Sequence, residues 1–434
     1  MLQQPNDFGE ELRKRRLAAG MSLGELSARV NYSKAHLSKV ERGIKKACWY
    51  LARLCDAALE ADGELAVLVP QSSAETSTSK SSEITGDVWI LRLSADGESS
   101  FTAIDRRQAL AAGAAAVAGL RIGLRPSAHG LEDTSMIEGS RVLFDHFRQT
   151  AQSVEPGLVL PPVIAQSHIL GQLAARAGTG ARPALLRLSS RYAEYIGWLV
   201  QETGNEDGAL WWTSRAVRLA AAGGDDDLAA YARVRHALIT LYRGHARQTV
   251  QLAEHARTSR AAPRIRGLAA QRKAQGHALA GEYDACMRAL DQARPLLAEP
   301  SEDPREPVIG STNLADPVEM ITGWCLYDLG RPQAAAEVIG TQLVRTPKRA
   351  VRTRVRYGIR QALALAAAGE IEQACAVTAG LLPDAIRVGA STVVGDLDRL
   401  DGTLRRHPTN SAVRQLAPDL ARTVRGLGEG GRPV

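Results

Sequence analysis

The feature that most constrains the fold is a set of five glycines that recur along the second half of the chain. Gly204, Gly244, Gly281, Gly330 and Gly369 are separated by 40, 37, 49 and 39 residues. Five positions after each glycine stands a small residue, namely Ala209, Thr249, Cys286, Ala335 or Ala374. A glycine that turns the chain and a small residue early in the next helix let two antiparallel helices pack closely. The pattern therefore predicts a stack of helical pairs with a concave face.

The composition agrees with a mainly α fold. Apolar residues make up 45% of the 434 residues, but aromatic residues only 4%. Much of the apolar content is alanine, which suits close helix packing better than strands. A chain of this length is expected to form one to three domains.

The positive charge is concentrated near the N-terminus. The formal net charge of the chain is +7, and eleven Lys or Arg face four acids between Phe8 and Arg53. The remaining chain is balanced. A basic module on a neutral body indicates an anionic partner for that module, most often nucleic acid.

The first seventy residues show the pattern of a helix-turn-helix. Phe8, Leu12 and Leu17 lie near helical spacing, and Gly20 ends that helix. A second helix is predicted to begin after Ser22, with Glu25 completing a capping box. Its apolar residues are Leu26 and Val30, and Asn31, which tolerates a left-handed turn, follows them.

The next helix is short, from Lys34 to Glu41, and is predicted to be capped by Ser33 and closed by Gly43. If Leu37 and Val40 anchor it, the opposite face is cationic and polar and suits a DNA major groove. A solvated basic helix is the alternative. The candidate DNA-binding residues are Ser22, Ser33, Lys34, Ala35, His36, Ser38, Lys39, Arg42, Lys45 and Lys46.

The segment LRKRRLAAGMSLGELSARVNYSKAHLSKVERG resembles the phage-repressor-like (Cro, XRE) helix-turn-helix family. The resemblance covers roughly residues 7–60 and implies a five-helix, lambda-repressor-like domain whose helix after Ser33 reads DNA. It also implies an ion pair between Arg16 and Glu41. Two positions depart from the family, because Leu23 replaces the usual Gln and Ala47 the usual Pro. The first departure removes a polar contact to DNA.

The chain is predicted to divide into five parts. They are a helix-turn-helix domain at 1–69, a Ser/Thr-rich flexible linker at 70–86, a β-hairpin at 87–104 with its turn at Asp96-Gly97, a connecting helix region at 105–139 and a helical repeat domain at 140–426. The Ala-rich stretch at 105–120 follows two arginines as an export signal would. It lies too far into the chain and is too short to span a bilayer, so we interpret it as part of the connecting helix.

The repeated pairs resemble tetratricopeptide repeats, and their first helices would line the concave face. The candidate ligand-binding residues there are Arg191, Trp198, Tyr231, Gln271, Gln275, Trp324, Tyr327, Arg352, Arg356 and Arg360. The last three form one helical stripe that could cradle a carboxylate, such as a peptide C-terminus or an acidic small ligand. The alternative for the stripe is a surface stripe paired with acids of the neighbouring repeat. For Trp198 and Trp324 we favour packing residues over ligand platforms, because aromatic residues are scarce and a core needs them.

Motifs of common enzyme classes are absent, since the sequence has no Walker-type phosphate loop, no H-E-x-x-H helix and no G-x-S-x-G elbow. The five cysteines form no C-x-x-C pair, and the nine histidines are dispersed. We therefore expect no enzyme, no metal and no cofactor. The cysteine usage and the lack of a signal peptide favour the cytoplasm.

These features predict a sequence-specific transcription regulator that binds a palindromic duplex as a homodimer. Its layout resembles the peptide-responsive quorum-sensing regulators of Gram-positive bacteria, which implies that the repeat body senses a peptide or small molecule. Two alternatives remain. The chain could be a protein-interaction scaffold with a vestigial helix-turn-helix domain, or its body could dimerise without any ligand.

Overall fold

The structure is a computed structural model that describes residues 8–69, 88–93, 99–104, 130–300, 306–389 and 391–429. The described part is mainly helical. The predicted linker at 70–86 and the Ala-rich stretch at 105–120 lie outside the described residues.

The N-terminal domain is a small helical bundle. Its elements are α1 (Phe8–Ala18), α2 (Leu23–Val30), α3 (Lys34–Glu41), α4 (Trp49–Ala58) and a 3-10 helix (Ala66–Leu68). The fifth helix expected from the family resemblance is thus a single 3-10 turn. Leu12, Leu26, Leu37 and Leu51 are fully buried and form its centre.

The structure corrects the expected position of one residue of this domain, Leu17. Leu17 was expected on the apolar stripe of the first helix, but it is 59% exposed. Arg16 takes the inward position instead and is buried. The spacing from Leu12 explains the difference, because residues four apart lie on one helix face whereas residues five apart do not.

Two antiparallel strands follow, β1 (Val88–Leu93) and β2 (Ser99–Ile104). Val88 pairs with Ile104 and Leu93 with Ser99. The predicted turn at Asp96-Gly97 lies outside the described residues.

Helices with short connections build the rest of the described chain. They are α5 (Gly130–Thr150), α6 (Pro156–Arg176), α7 (Arg182–Glu202), α8 (Glu206–Ala222), α9 (Asp227–Tyr242), α10 (Ala246–Arg257), α11 (Pro263–Ala280), α12 (Tyr283–Ala298), α13 (Pro317–Asp328), α14 (Pro332–Arg345), α15 (Val351–Ala368), α16 (Ile371–Val388), α17 (Val394–Leu404) and α18 (Ser411–Glu429). A 3-10 turn, Ser391–Val393, precedes α17. Consecutive helices pack against each other along this body, except that α16 packs on α18 rather than on α17.

The recurring glycines have the predicted role. All five have positive φ angles, from 73° at Gly244 to 95° at Gly369, and each lies between two packed helices. The small residues five positions later, from Ala209 to Ala374, are fully buried. Both parts of the pattern are therefore confirmed: the glycine turns the chain, and the small side chain lets the paired helices come close.

The helix α6 is the one described helix that is long and apolar enough to cross a membrane by length and composition alone. It contains Pro161 and Pro162 and packs against α7 through buried residues that include Val163 and Leu170. A core helix of this kind passes the same composition test.

The N-terminal domain packs directly on the body. One hydrophobic cluster includes Leu37 and Leu51 of the domain and continues into Leu363 and Leu400 of α15 and α17. The contact falls on the glycine turns of three successive helix pairs, since Gly281, Gly330 and Gly369 all lie against the domain.

Candidate nucleic-acid interface

The two helices that would face DNA begin at side-chain caps. The Ser22 hydroxyl accepts a hydrogen bond from the Glu25 amide at 3.1 Å, and the Glu25 carboxylate accepts one from the Ser22 amide at 2.7 Å. The Ser33 hydroxyl accepts from the His36 amide at 3.2 Å. The predicted capping box and α3 cap are therefore confirmed. They fix the start of both helices by pairing amides that have no partner inside the helix.

The connection between α2 and α3 depends on a left-handed residue. Asn31 has φ 51° and ψ 44°, as the sequence predicted. The Ser27 hydroxyl donates to the Tyr32 carbonyl at 2.6 Å and holds the turn. The turn is tight enough to set α3 across α2 in the arrangement of a helix-turn-helix.

Two aliphatic residues anchor α3 to the bundle, as predicted. Leu37 and Val40 are buried, and each contributes about 1.5–3 kcal/mol by leaving water. Helix α1 approaches α3 very closely at Gly9, where an added Cβ would overlap the Val40 carbonyl oxygen. These two aliphatic residues are sufficient to hold α3 because α1 has no side chain at its point of closest contact with α3.

A buried ion pair joins α1 to α3. The Arg16 guanidinium binds Glu41 with Nε to Oε1 at 2.6 Å and Nη2 to Oε2 at 2.9 Å. Its third nitrogen, Nη1, donates to the Met21 carbonyl at 2.8 Å. The hydrogen bonds that Arg16 donates to Glu41 raise the pKa of the Arg16 guanidinium. This confirms the pair that the family resemblance implied.

The predicted DNA-facing residues lie on one open surface, even with the body packed against the domain. His36 and Ser38 are half-buried, and the others are exposed: Ser22, Ser33, Lys34, Ala35, Lys39, Arg42, Lys45 and Lys46. The cationic face of α3 is therefore not covered by any helix that the structure describes.

Local contacts place two of these cations. The Lys34 chain lies across Gly24, whose added Cβ would be 2.8 Å from Lys34 Cε. Lys34 thereby reaches towards the start of α2. The Arg42 Nε donates to the Ser38 carbonyl at 3.1 Å, which holds that guanidinium at the end of α3.

The charge of His36 is suppressed. Burial lowers the pKa of its ring, and the nearby cations Lys45, Arg406 and Lys39 lower it further. The ring lies edge-on to Tyr32 with centroids 5.1 Å apart. The His36 ring is therefore protonated less readily than a free imidazole.

Sequence reasoning missed the way this domain is held by the body. Tyr50 of α4 stacks on Tyr327 of α13, with ring centroids 4.7 Å apart and planes at 18°. Arg53 donates from Nη2 to the Leu279 carbonyl, and burial lowers its pKa. The carbonyl of Arg53 meets the turn at Gly330. The bond to Leu279 is the one hydrogen bond of the Arg53 guanidinium among the described residues, because its Nε and Nη1 are buried without a partner.

Two further arginines of the body lie against aromatic rings of the domain. Arg406 is 4.2 Å from the centroid of the Tyr32 ring, next to the start of α3, and Arg399 is 5.4 Å from that of Trp49. The only signal in the sequence was the apolar character of Trp49 and Tyr50, which does not tell core from docking surface.

The candidate ligand residues separate into several groups. One cavity of about 380 Å³ is lined by Arg191, Trp198, Tyr231, Arg352 and Arg356, among other residues. Trp324 and Arg360 line a second, smaller cavity of about 220 Å³. In that cavity Arg360 lies over Trp324, with its guanidinium carbon 3.5 Å from the ring centroid.

Three of the candidates do not lie on a free concave face. Gln271 donates to the Pro317 carbonyl at 2.8 Å, and Gln275 accepts from Arg272 at 2.6 Å. Tyr327 stacks on Tyr50 of the N-terminal domain. All three are buried and pack within the protein.

The arginine stripe on α15 is paired with acids from other helices. Arg352 lies 3.4 Å and Arg356 3.0 Å from Glu202, while Arg360 lies 2.9 Å from Asp396 and 3.5 Å from Asp328. Arg352 also donates to the carbonyls of Ala151, Val154 and Val388. These contacts agree with the alternative in which the arginine stripe is paired with acids. They differ from it in that Arg352 and Arg360 are buried rather than on the surface.

Within the described ranges, no group of three or more His, Cys, Asp or Glu side chains could hold a metal ion. Among known families, a model described as a helix-turn-helix domain matches residues 7–68. No curated protein and no solved structure matches the chain significantly. The N-terminal domain is thus a helix-turn-helix domain, and the body has only its own residues to indicate a role.

Proposed function

We propose that this protein is a sequence-specific transcription regulator in which α3 reads DNA. The observation that carries the proposal is the exposed cationic face of α3 within a matched helix-turn-helix domain. Lys34 and Lys39 can donate to acceptor atoms on base edges, and Ala35 can contact a thymine methyl group. Ser22, Arg42, Lys45 and Lys46 surround this face and suit phosphate contacts.

The reading helix is short, and this favours a dimer. The eight residues of α3 reach only about half of a typical site, so a two-fold pair of chains on a palindromic duplex is expected. The helical body is the larger surface on which two chains could join. The proposed site of action is the cytoplasm, where the genome of a bacterial cell is accessible.

The body is proposed to act as a tetratricopeptide-like sensor for a peptide or small molecule. The left-handed glycine turns and the buried small residues support this interpretation of the repeats. The docking contact supports a route for the signal. The N-terminal domain lies on Gly281, Gly330 and Gly369, so a change in the twist of the stack would move three of its supports at once. An effector shifts DNA binding only if it binds one arrangement better than the other.

The test begins with a duplex selected from a random pool by the full-length chain. Affinity for that duplex is then measured against salt for the wild type, Lys34→Ala and Lys39→Ala. The wild type should lose affinity steeply as salt rises, because bound cations are released. Each substitution should cost about 1–3 kcal/mol if the lysine contacts a base.

The matched control is Lys348→Ala, an exposed lysine of the body, which should leave the affinity unchanged. If no duplex is enriched and no salt-dependent binding appears, the scaffold alternative is favoured. In that case the body would bind a protein partner, and the basic domain would be a docking piece.

A further inference from the structure

The larger cavity is lined by four helices and one loop. Its walls come from α5, α7, α9, α15 and residues 306–313. Arg148 donates to the carbonyls of Val308 and Gly310 at 2.6 and 2.7 Å, and Arg264 donates to that of Ile309 at 2.7 Å. The loop is therefore fixed as a wall. A volume of about 380 Å³ falls in the range of small-molecule sites.

Several buried polar atoms of this cavity have no hydrogen-bond partner in the protein. They are Nε and Nη1 of Arg191, the hydroxyl of Tyr195, Nε of Arg141 and Oε2 of Glu306. Arg191 and Tyr195 are each at least nine-tenths buried. Such groups are rare in folded proteins because each one forfeits its hydration without replacement. Five of the 23 such atoms among the described residues belong to side chains that line this one cavity, where a bound molecule can satisfy them.

Two of the side chains with unpartnered donors, Arg191 and Tyr195, lie on one stripe of α7. Arg191 and Tyr195 are four residues apart and therefore face the same side, and Trp198 follows one turn later. Arg191 is held by Asp225, with Nη2 2.8 Å from the carboxylate, so its other two nitrogens are oriented and available. The donors of Arg352 are engaged by backbone carbonyls and Glu202.

The lining is cationic and aromatic. Six arginines face three carboxylates around the cavity. One of the carboxylates, Glu194, is hydrogen-bonded to Tyr231. The rings of Tyr195 and Trp198 stack with centroids 5.5 Å apart, and Phe144 meets Tyr195 edge-on at 5.5 Å. Such a lining suits a molecule that carries both a negative charge and a flat apolar group.

From this arrangement, we propose that the cavity binds a small aromatic carboxylic acid, with the carboxylate on Arg191 and Tyr195 and the ring against the aromatic wall. The assignment of this molecule as the effector rests on the proposed function, whereas its binding does not. An extended peptide suits the site less well, because residues 306–313 close one side of it.

The test is calorimetry on the full-length chain with three probes: phenylacetate, 4-hydroxyphenylacetate and indole-3-acetate. Phenylacetamide and phenethylamine are the neutral and cationic controls. At least one acid should bind, and both controls should bind at least roughly tenfold more weakly, since a hydrogen bond to a charged group is worth about that ratio or more.

The variant Tyr195→Phe should bind the acid with roughly tenfold lower affinity. It should not lower the unfolding temperature, because the hydroxyl it removes has no partner. The matched control is Tyr192→Phe on the same helix, whose hydroxyl donates to the Ser140 carbonyl at 2.7 Å. That variant should lower the unfolding temperature and leave acid binding unchanged.

The proposal is overturned if none of the acids binds, if a control binds as tightly as the acids, or if Tyr195→Phe keeps full affinity. Because the calorimetry contains no DNA, a failure of DNA binding would not affect its result. Conversely, an acid that binds without changing the affinity for DNA would leave the site in place and remove only its role as the effector site.

Discussion

The ion pair between Arg16 and Glu41 gives the most quantitative prediction. The substitution Glu41→Ala removes two charge-assisted hydrogen bonds, at 2.6 and 2.9 Å, and leaves a guanidinium whose side chain is only 10% exposed. Only the bond to the Met21 carbonyl remains. Breaking a buried pair in this way costs about 3–5 kcal/mol.

Hydrogen exchange followed by mass spectrometry measures this cost in the full-length chain. The amides of α1 and α3 should exchange at least roughly a hundredfold faster in Glu41→Ala, since every 1.4 kcal/mol is a factor of ten. The amides of α15, in the body, serve as the internal reference and should change less.

A double variant separates the buried charge from the lost contact. Replacing Arg16 with Met and Glu41 with Leu removes both charges and fills their space, so most of the stability should return. The reasoning is refuted if Glu41→Ala changes exchange by less than about fivefold, a cost below ~1 kcal/mol. It is also refuted if the double variant loses as much free energy of unfolding as Arg16→Met and Glu41→Leu lose in sum.

Two more predictions concern docking and pH. Gly330→Ala should destabilise the contact between the domains, because φ is 76° there and a Cβ would overlap the Arg53 carbonyl oxygen. Hydrogen exchange should be faster at the amides of α4, which carries Arg53, and rates equal to those of the wild type would refute the docking contact. Hydrogen bonding to Arg257, together with Lys273, lowers the pKa of Glu254 to about 2. Its stabilisation is therefore present above about pH 4.5 and lost as the pH falls towards 2. Glu254→Gln should make the unfolding temperature depend less on pH across that window. The free energy of unfolding involved is less than about 1 kcal/mol, because the group is partly exposed. An unchanged dependence on pH would argue against the pair.

The helix-turn-helix could be predicted in detail because its signals are local. Ser22 and Ser33 cap their helices, and Asn31 adopts the left-handed turn, as side-chain chemistry at each position requires. The recurring glycines were predictable for the same reason. Each one reports a backbone conformation that other residues adopt at a cost.

Contacts between segments that are distant in the sequence could not be predicted in this way. The spacing of Arg352 and Arg360 shows that they share a helix face. It does not show that they form ion pairs with acids of other helices. Tyr327 has the same sequence signature whether it lines a groove or stacks on Tyr50. Periodicity identifies the buried face of one helix and contains no information about which other surface covers it.

Sequencing of DNA sites selected by the full-length chain tests the central claim most directly. The wild type and Lys39→Ala should enrich related sites, with the variant losing preference at one base-pair position in each half-site and keeping it at the others. That result would show that α3 reads base edges. If Lys39→Ala and Lys34→Ala both select the same sites as the wild type with the same stringency, another surface reads the DNA and the account is contradicted.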